Sequence, residues 1–152
     1  STMHPSDRAK PRVMVDADVL FAAAASSSEQ GASLLVLRLA ELTLLDAVAS
    51  TQVIVEAERN LTQKLTASLP TFRLLVARCL RVTPDPAVDA RSLYRGCAEP
   101  EDLPILVAAV QANCQWLVTF NVRHFQPGVS AIQVVRPSDL ILRVRHLLNS
   151  LT

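Results

Sequence analysis

Carboxylates recur at separated points of this 152-residue chain, each at the end or start of an expected element. Asp16 and Asp18 follow a short apolar run. Glu56 stands one turn into an expected helix, with Glu58 beyond it. Glu101 and Asp102 stand at the start of another helix, and Thr119 and Asn121 follow a later apolar run. In an open parallel sheet, functional groups gather outside the carboxyl ends of the strands. These segments would then deliver oxygen ligands to one edge. Carboxylates held together repel one another unless a cation neutralises them. Mg²⁺ and Mn²⁺ prefer oxygen donors and bind through a few carboxylates plus substrate phosphate. An acidic, metal-binding site is the leading physical reading.

Taken singly, each residue has a plainer role. Asp16 or Asp18 can cap the helix that follows. Glu56 and Glu58 can be solvated helix residues. Glu101 and Asp102 suit the positive end of a helix dipole. Thr119 and Asn121 can shape a turn. Those plain causes are independent of one another; the ordered set is not.

The elements that must position them follow from apolar runs and punctuation. Arg12 to Asp16 reads as a buried strand. An Ala-rich helix follows from about Val19 to Ala25, then a loop from Ser26 to Gly31 and a helix from Ala32 to Leu42. Thr43 to Ala49 reads as a second buried strand. Ser50 or Thr51 can cap a helix from Val53 to about Leu69. Pro70 begins another helix ending near Cys79, and Leu80 to Thr83 is a third strand. Asp85 to Tyr94 suits a short helix and Arg95 to Cys97 a loop. Pro100 is expected to start a helix running to Asn113. Trp116 to Thr119 is a fourth strand, Val122 to Val129 a loop and Ile132 to Val135 a fifth strand. Pro137 and Ser138 open a last helix to about Leu148. Apolar strands alternating with helices predict an α/β fold with a parallel sheet covered on both faces. Residues 1–10 are expected to be a flexible arm, with Ser1 and Thr2 before Met3 reading as an expression remnant, and residues 11–152 a single domain.

Composition narrows the function. Half the residues are hydrophobic and 19% are charged, which argues against a disordered chain. A net charge of +1 argues against a strongly basic nucleic-acid wrapper but leaves room for a local basic groove. The cations include only two lysines, Lys10 and Lys64; the others are arginines. Arginine suits bidentate phosphate contact, and a GC-rich genome gives the same bias. Cys79, Cys97 and Cys114 have no metal-ligand spacing, and Cys79 and Cys114 read as core residues in a reducing compartment. No apolar run reaches the ~18 residues of a membrane span and no signal peptide is visible, so a cytoplasmic protein is expected. Gly31, Gly96 and Gly128 are isolated, which disfavours a phosphate-binding glycine loop. The absence of GxSxG disfavours a serine nucleophile. A response-regulator-like domain would need a later lysine, and Lys64 is the last one.

The segments VMVDADVLFAA, STQVIVEAERNL and EDLPILVAAVQANCQWLVTFNVRHF, in that order, resemble the PIN-domain ribonucleases, above all their VapC-like toxin branch. The resemblance runs from about Arg12 to Pro137. It implies an α/β/α sandwich with a central, mostly parallel sheet of about five strands. It also implies endonucleolytic cleavage of RNA that depends on Mg²⁺ or Mn²⁺. Asp16, Glu56 and Asp102 would be the catalytic metal ligands. Asn121 falls at the fourth catalytic position, where many relatives carry an acid. Relatives with asparagine there often place an aspartate three residues on; here that residue is His124. Thr119 matches the family's threonine or serine near the site, and Asp18 has a secondary role.

Beside these, Arg123 and His124 are candidates for weak contact with RNA phosphate. Phe125 either stacks a base or packs into the core. The partners implied are the RNA substrate, a cognate antitoxin protein and a second copy of the chain, with no membrane. Leucines on more than one face of the helices at Ala32 to Leu42 and Val53 to Leu69 fit a dimer or an amphipathic partner. The alternative is a PIN-like module that binds RNA or protein without catalysis.

Overall fold

Val13, Met14 and Val15 are fully buried in β1 (Arg12–Val15). A strand covered on both faces needs such an unbroken apolar run rather than alternation. The computed structural model describes residues 10–26 and 31–150. The expected arm, apart from Lys10, lies outside the described residues, as do the last two residues of the expected domain. After β1 come α1 (Ala17–Ala25), α2 (Ala32–Glu41) and β2 (Asp46–Ser50). Then come α3 (Thr51–Lys64), α4 (Leu69–Cys79) and β3 (Arg81–Thr83). The helices α5 (Val88–Ser92) and α6 (Leu103–Gln111) lead to β4 (Trp116–Val118). Finally β5 (Gln133–Val135) precedes α7 (Pro137–Asn149). The sheet has order β3-β2-β1-β4-β5 and every pairing is parallel, as expected.

The strand order fixes the layers. From β1 the chain steps one way to β2 and β3, then crosses to β4 on the other side. Right-handed crossovers therefore put α1 to α4 on one face and α5 with α6 on the other. The packing agrees: α1, α2, α3 and α4 touch one another, α7 packs on α2, and α5 packs on α6. Between β1 and β4 the strand order reverses, and such a switch point opens a crevice at the carboxyl ends. The α6 run Ile105 to Ala109 is buried throughout, as a helix covered on several sides must be.

Several expected boundaries move, each for a local reason. β2 begins at Asp46 rather than Thr43, because Thr43 turns the chain at φ 62 in the left-handed region. α3 ends at Lys64 rather than Leu69, because Leu65 leaves the helix at φ −147 before a short 3₁₀ turn at Thr66–Ser68. α6 begins at Leu103 rather than Pro100 and carries Pro104 in its first turn, so Pro100 to Asp102 form a turn ahead of it. Cys79 and Cys114 are buried as expected, and burial pushes their thiols up to about 11 and about 12. Among the described residues no helix is long and apolar enough to cross a membrane.

Candidate active site

Asp16 ends β1 at the crevice and is the N-cap of α1. Its Oδ1 accepts from the Ala17 amide at 2.8 Å, and its Oδ2 accepts from the Thr119 hydroxyl at 2.8 Å. Thr119 stands just past β4 and has no exposed surface. Its Oγ1 also lies 3.4 Å from Asp18 Oδ2, but one hydroxyl hydrogen serves one close acceptor, and Asp16 is nearer. The same Oγ1 accepts from the Asn121 amide at 3.0 Å. Thr119 thus links β1 and β4 where they part, a role beyond shaping a turn.

Asp18 receives a second set of donors. Its Oδ2 accepts from the Phe120 amide at 3.0 Å and from Asn121 Nδ2 at 3.2 Å. Its Oδ1 is buried with no hydrogen-bond partner. A buried, unsatisfied carboxylate oxygen is costly. Asp18 thus stands beside Asp16 and shares its contact with Thr119. Asn121 joins them as a donor to Asp18.

Asp102 precedes α6 without a side-chain capping bond, because its Oδ2 faces His124 Nδ1 at 3.1 Å. The pairing is built from both sides. The Glu99 amide donates to the His124 carbonyl at 2.8 Å, which ties the 3₁₀ turn Val122–Phe125 to the turn ahead of α6. Of the two readings open for Phe125, core packing is the one found: it is 1% exposed and anchors that turn. Arg123 is exposed and makes no ion pair among the described residues.

The two α3 glutamates separate. Glu58 pairs with Arg73 at 3.5 Å, whereas Glu56 lies within the field of Asp102, Asp18 and Glu101. Gln52 fastens α3 to the same region. Its side chain donates to the Glu101 carbonyl at 3.2 Å and its amide donates to Asp85 Oδ1 at 2.9 Å. Sequence reasoning did not find Gln52, the Phe120 amide or the Asp102–His124 pair, because each depends on how two turns pack.

The electrostatics follow. Burial, then repulsion from Asp18, pushes Asp16 up to about 7, against the hydrogen bonds from Thr119 and Ala17. Burial raises Asp18 as well. Burial and the charge of Asp102 raise Glu56, with Arg59 opposing. Burial raises Asp102 despite the neighbouring His124. Such carboxylates resist sharing their negative charge and would be relieved by a cation.

The donor set suits a hard divalent ion. The acids offer oxygen only, and Asp18 has a free buried oxygen. Among the described residues no three His, Cys, Asp or Glu side chains stand so that they could hold a metal ion by themselves. Mg²⁺ does not need such a set, since it keeps several waters and binds through one or two carboxylates and substrate phosphate.

Comparison with known proteins accords with this geometry. The chain is similar to VapBC2 from Rickettsia felis, solved bound to a DNA fragment from their promoter. The identity is 17% and the TM-score 0.61, over 81% of this chain and 96% of that one. It is also similar to PAE2754 from Pyrobaculum aerophilum, at 18% identity and TM-score 0.64, over 90% of this chain and 96% of that one. At such identities the likeness concerns the fold. No curated protein sequence matches the chain. The sequence profile of the PIN domain matches residues 12–123, which carry Asp16, Glu56, Asp102 and Asn121. The chain belongs to the PIN-domain family.

Proposed function

We propose that this protein is a metal-dependent endoribonuclease and the toxin of a toxin–antitoxin pair. One observation carries the reading: buried and half-buried, mutually repelling acids stand at the β1–β4 switch point, and among the described residues their only ion-pair partner is His124. Asp16, Glu56 and Asp102 would hold Mg²⁺ or Mn²⁺, which supplies an activated water and neutralises charge at the phosphate. Thr119 holds the Asp16 carboxylate by its hydrogen bond, and Asn121 holds Asp18. His124 fixes one oxygen of Asp102 and leaves the other for a ligand. Arg123, exposed in that turn, would meet the RNA backbone.

An antitoxin partner is supported by the similarity to VapBC2. Pairing of two copies is supported by exposed leucines on α7, Leu142, Leu147 and Leu148, and by Leu42 after α2. Light scattering that gives a monomer at micromolar concentration would count against the pairing.

The test of function is cleavage of single-stranded RNA with Mg²⁺ or Mn²⁺ and with a chelator. Internal cuts with metal, lost on chelation and in Glu56→Gln, are the expected result. RNA that stays intact with metal, yet binds, would mark a binding module instead. Equal cleavage in excess chelator would refute the metal site.

A further inference from the structure

Beyond the acids, α5 and the start of α6 enclose a hollow of about 280 Å³. Arg91, Ser92 and Arg95 line it from α5 and the turn after it, and Pro100, Leu103 and Pro104 line it from the α6 side. We propose that this hollow is a subsite for a backbone phosphate of RNA adjacent to the one cleaved, held by Arg91 and Arg95. The inference rests on the ribonuclease reading and adds how the substrate is drawn in.

The arginines are poised for an external anion. Neither makes an ion pair among the described residues. Arg91 Nε is buried with no hydrogen-bond partner. That nitrogen is closed off from the hollow, so an anion there would be met by the terminal guanidinium nitrogens of Arg91 and Arg95. Asp89, the acid of α5, makes no ion pair with either arginine among the described residues, and its Oδ1 accepts from the Ala90 amide. Ser92 is also committed, since its hydroxyl donates to the Val88 carbonyl at 3.0 Å. Two guanidinium groups thus line the hollow without an ion-pair partner among the described residues, and phosphate is an anion that a guanidinium fits bidentately.

Position selects RNA as the source of that anion. Pro100 and Leu103 bracket Glu101 and Asp102 in the chain, so the hollow adjoins the turn that carries a site acid. An acidic site repels a polyanion, and a cation bound there neutralises only the phosphate it touches. A neighbouring phosphate needs cations of its own, and phosphate contacts of this kind fix register without reading sequence.

Steady-state cleavage of a short single-stranded oligoribonucleotide tests the inference, compared with a dinucleotide that has one phosphodiester. Both are measured at fixed Mg²⁺ across a KCl series, for wild type and for Arg91→Gln combined with Arg95→Gln. KM for the oligomer is expected to rise about tenfold with kcat unchanged. The dependence of log kcat/KM on log salt should become shallower by about 0.7, the value for one phosphate contact on a single strand. The dinucleotide should be cleaved as by wild type, and the double Arg→Lys variant should recover the salt slope. Thermal melts confirm that each variant is folded. An unchanged KM and salt slope in the Gln variant would overturn the subsite and leave the ribonuclease reading standing. Equal losses on oligomer and dinucleotide would overturn it too, by placing the arginines at the reacting phosphate or in the fold. Unchanged RNA kinetics with weakened binding of an acidic partner protein would assign the hollow to that protein. A wild-type protein that cleaves neither substrate would remove both readings at once.

Discussion

The two ends of the sheet use aspartate in opposite ways. At the amino end, Asp46 of β2 accepts from Arg12 Nε at 2.6 Å and from Arg81 Nη2 at 2.8 Å. Arg12 Nη1 also donates to the Ala112 carbonyl at 2.6 Å, which ties the end of α6 to β1. Burial pushes Asp46 up, but the two arginines outweigh it and hold the carboxyl below its usual range. At the carboxyl end, Asp16, Asp18 and Glu56 have no ion-pair partner among the described residues, and all are raised. One end is neutralised from within and serves the fold. The other has no internal partner among the described residues, so its charge is met by a proton or by a cation from outside. The direction of the shift, more than the presence of acids, separates a structural pair from a candidate ligand site.

Exchanging charge for amide at both ends should give opposite phenotypes, and here the largest effect is expected. Asp16→Asn should cut metal-dependent RNA cleavage on the order of a thousandfold, as loss of several kcal/mol of charge stabilisation implies. Its metal-free fold should hold or gain stability. Asparagine still caps α1, and the Thr119 hydroxyl can turn its hydrogen to Asp18 Oδ2 at 3.4 Å. Asp46→Asn should leave cleavage per folded molecule near wild type and cost about 2 kcal/mol, as loss of charged hydrogen bonds does. Urea denaturation and initial rates read both. Wild-type cleavage by Asp16→Asn would break the contrast.

The same contrast predicts how stability of the metal-free protein depends on pH. Asp16 is raised from 3.8 to about 7 in the folded state, so the native state holds a proton that the unfolded chain gives up. Its contribution is therefore favourable at low pH and is lost as pH rises towards 7, levelling off beyond. The raised Asp18, Glu56 and Asp102 act with the same sign. Asp46 acts with the opposite sign: lowered in the fold, it contributes above the unfolded-state value and is lost as pH falls through its folded one. Wild type should lose stability as pH rises from about 4 to about 7, and Asp16→Asn should lose less. Mg²⁺ should add more stability at the higher pH, where it does not compete with protons. A wild-type curve flat over that interval would show that Asp16 titrates normally.

How much of this was legible in the sequence depends on whether a feature is local. β1 and its closing Asp16 could be read, because an apolar run ending in an acid is a property of adjacent residues. The Ser50 cap of α3 was legible for the same reason, and its hydroxyl accepts from the Val53 amide at 3.3 Å. The start of α6 was not. Pro100 and Pro104 are equally good openers by residue type, and the choice between them follows from the turn that Glu99 makes with His124. The partner of Asp102 was hidden likewise. His124 stood out only as a replacement for an expected aspartate, and its contact with Asp102 exists because buried Phe125 seats the whole turn. Asp46 was read merely as part of a strand. Its arginines, Arg12 and Arg81, begin β1 and β3, the strands on either side of β2, a neighbour relation set by sheet order.

The smallest expected effect sharpens the comparison most finely, at position 121. Elsewhere in the family pattern an acid stands there, which suggests that Asn121→Asp would simply bind the ion better. The structure adds a cost. Asn121 Nδ2 donates to Asp18 Oδ2 at 3.2 Å, so the substitution replaces a donor with a like charge beside an acid that is already raised. Without metal the variant should melt below wild type by about 1 kcal/mol, the usual worth of one hydrogen bond. With Mn²⁺ the extra charged oxygen should increase the ion's stabilisation, because a hard cation gains from each added carboxylate. The two effects oppose, so at saturating Mn²⁺ the melting temperatures of variant and wild type should nearly meet. Melting curves over a Mn²⁺ titration measure both halves separately. A metal-free variant as stable as wild type would mean that Asn121 does not support Asp18. An equal Mn²⁺ increment in the two proteins would place residue 121 beyond reach of the ion, leaving the ligand set to Asp16, Glu56 and Asp102.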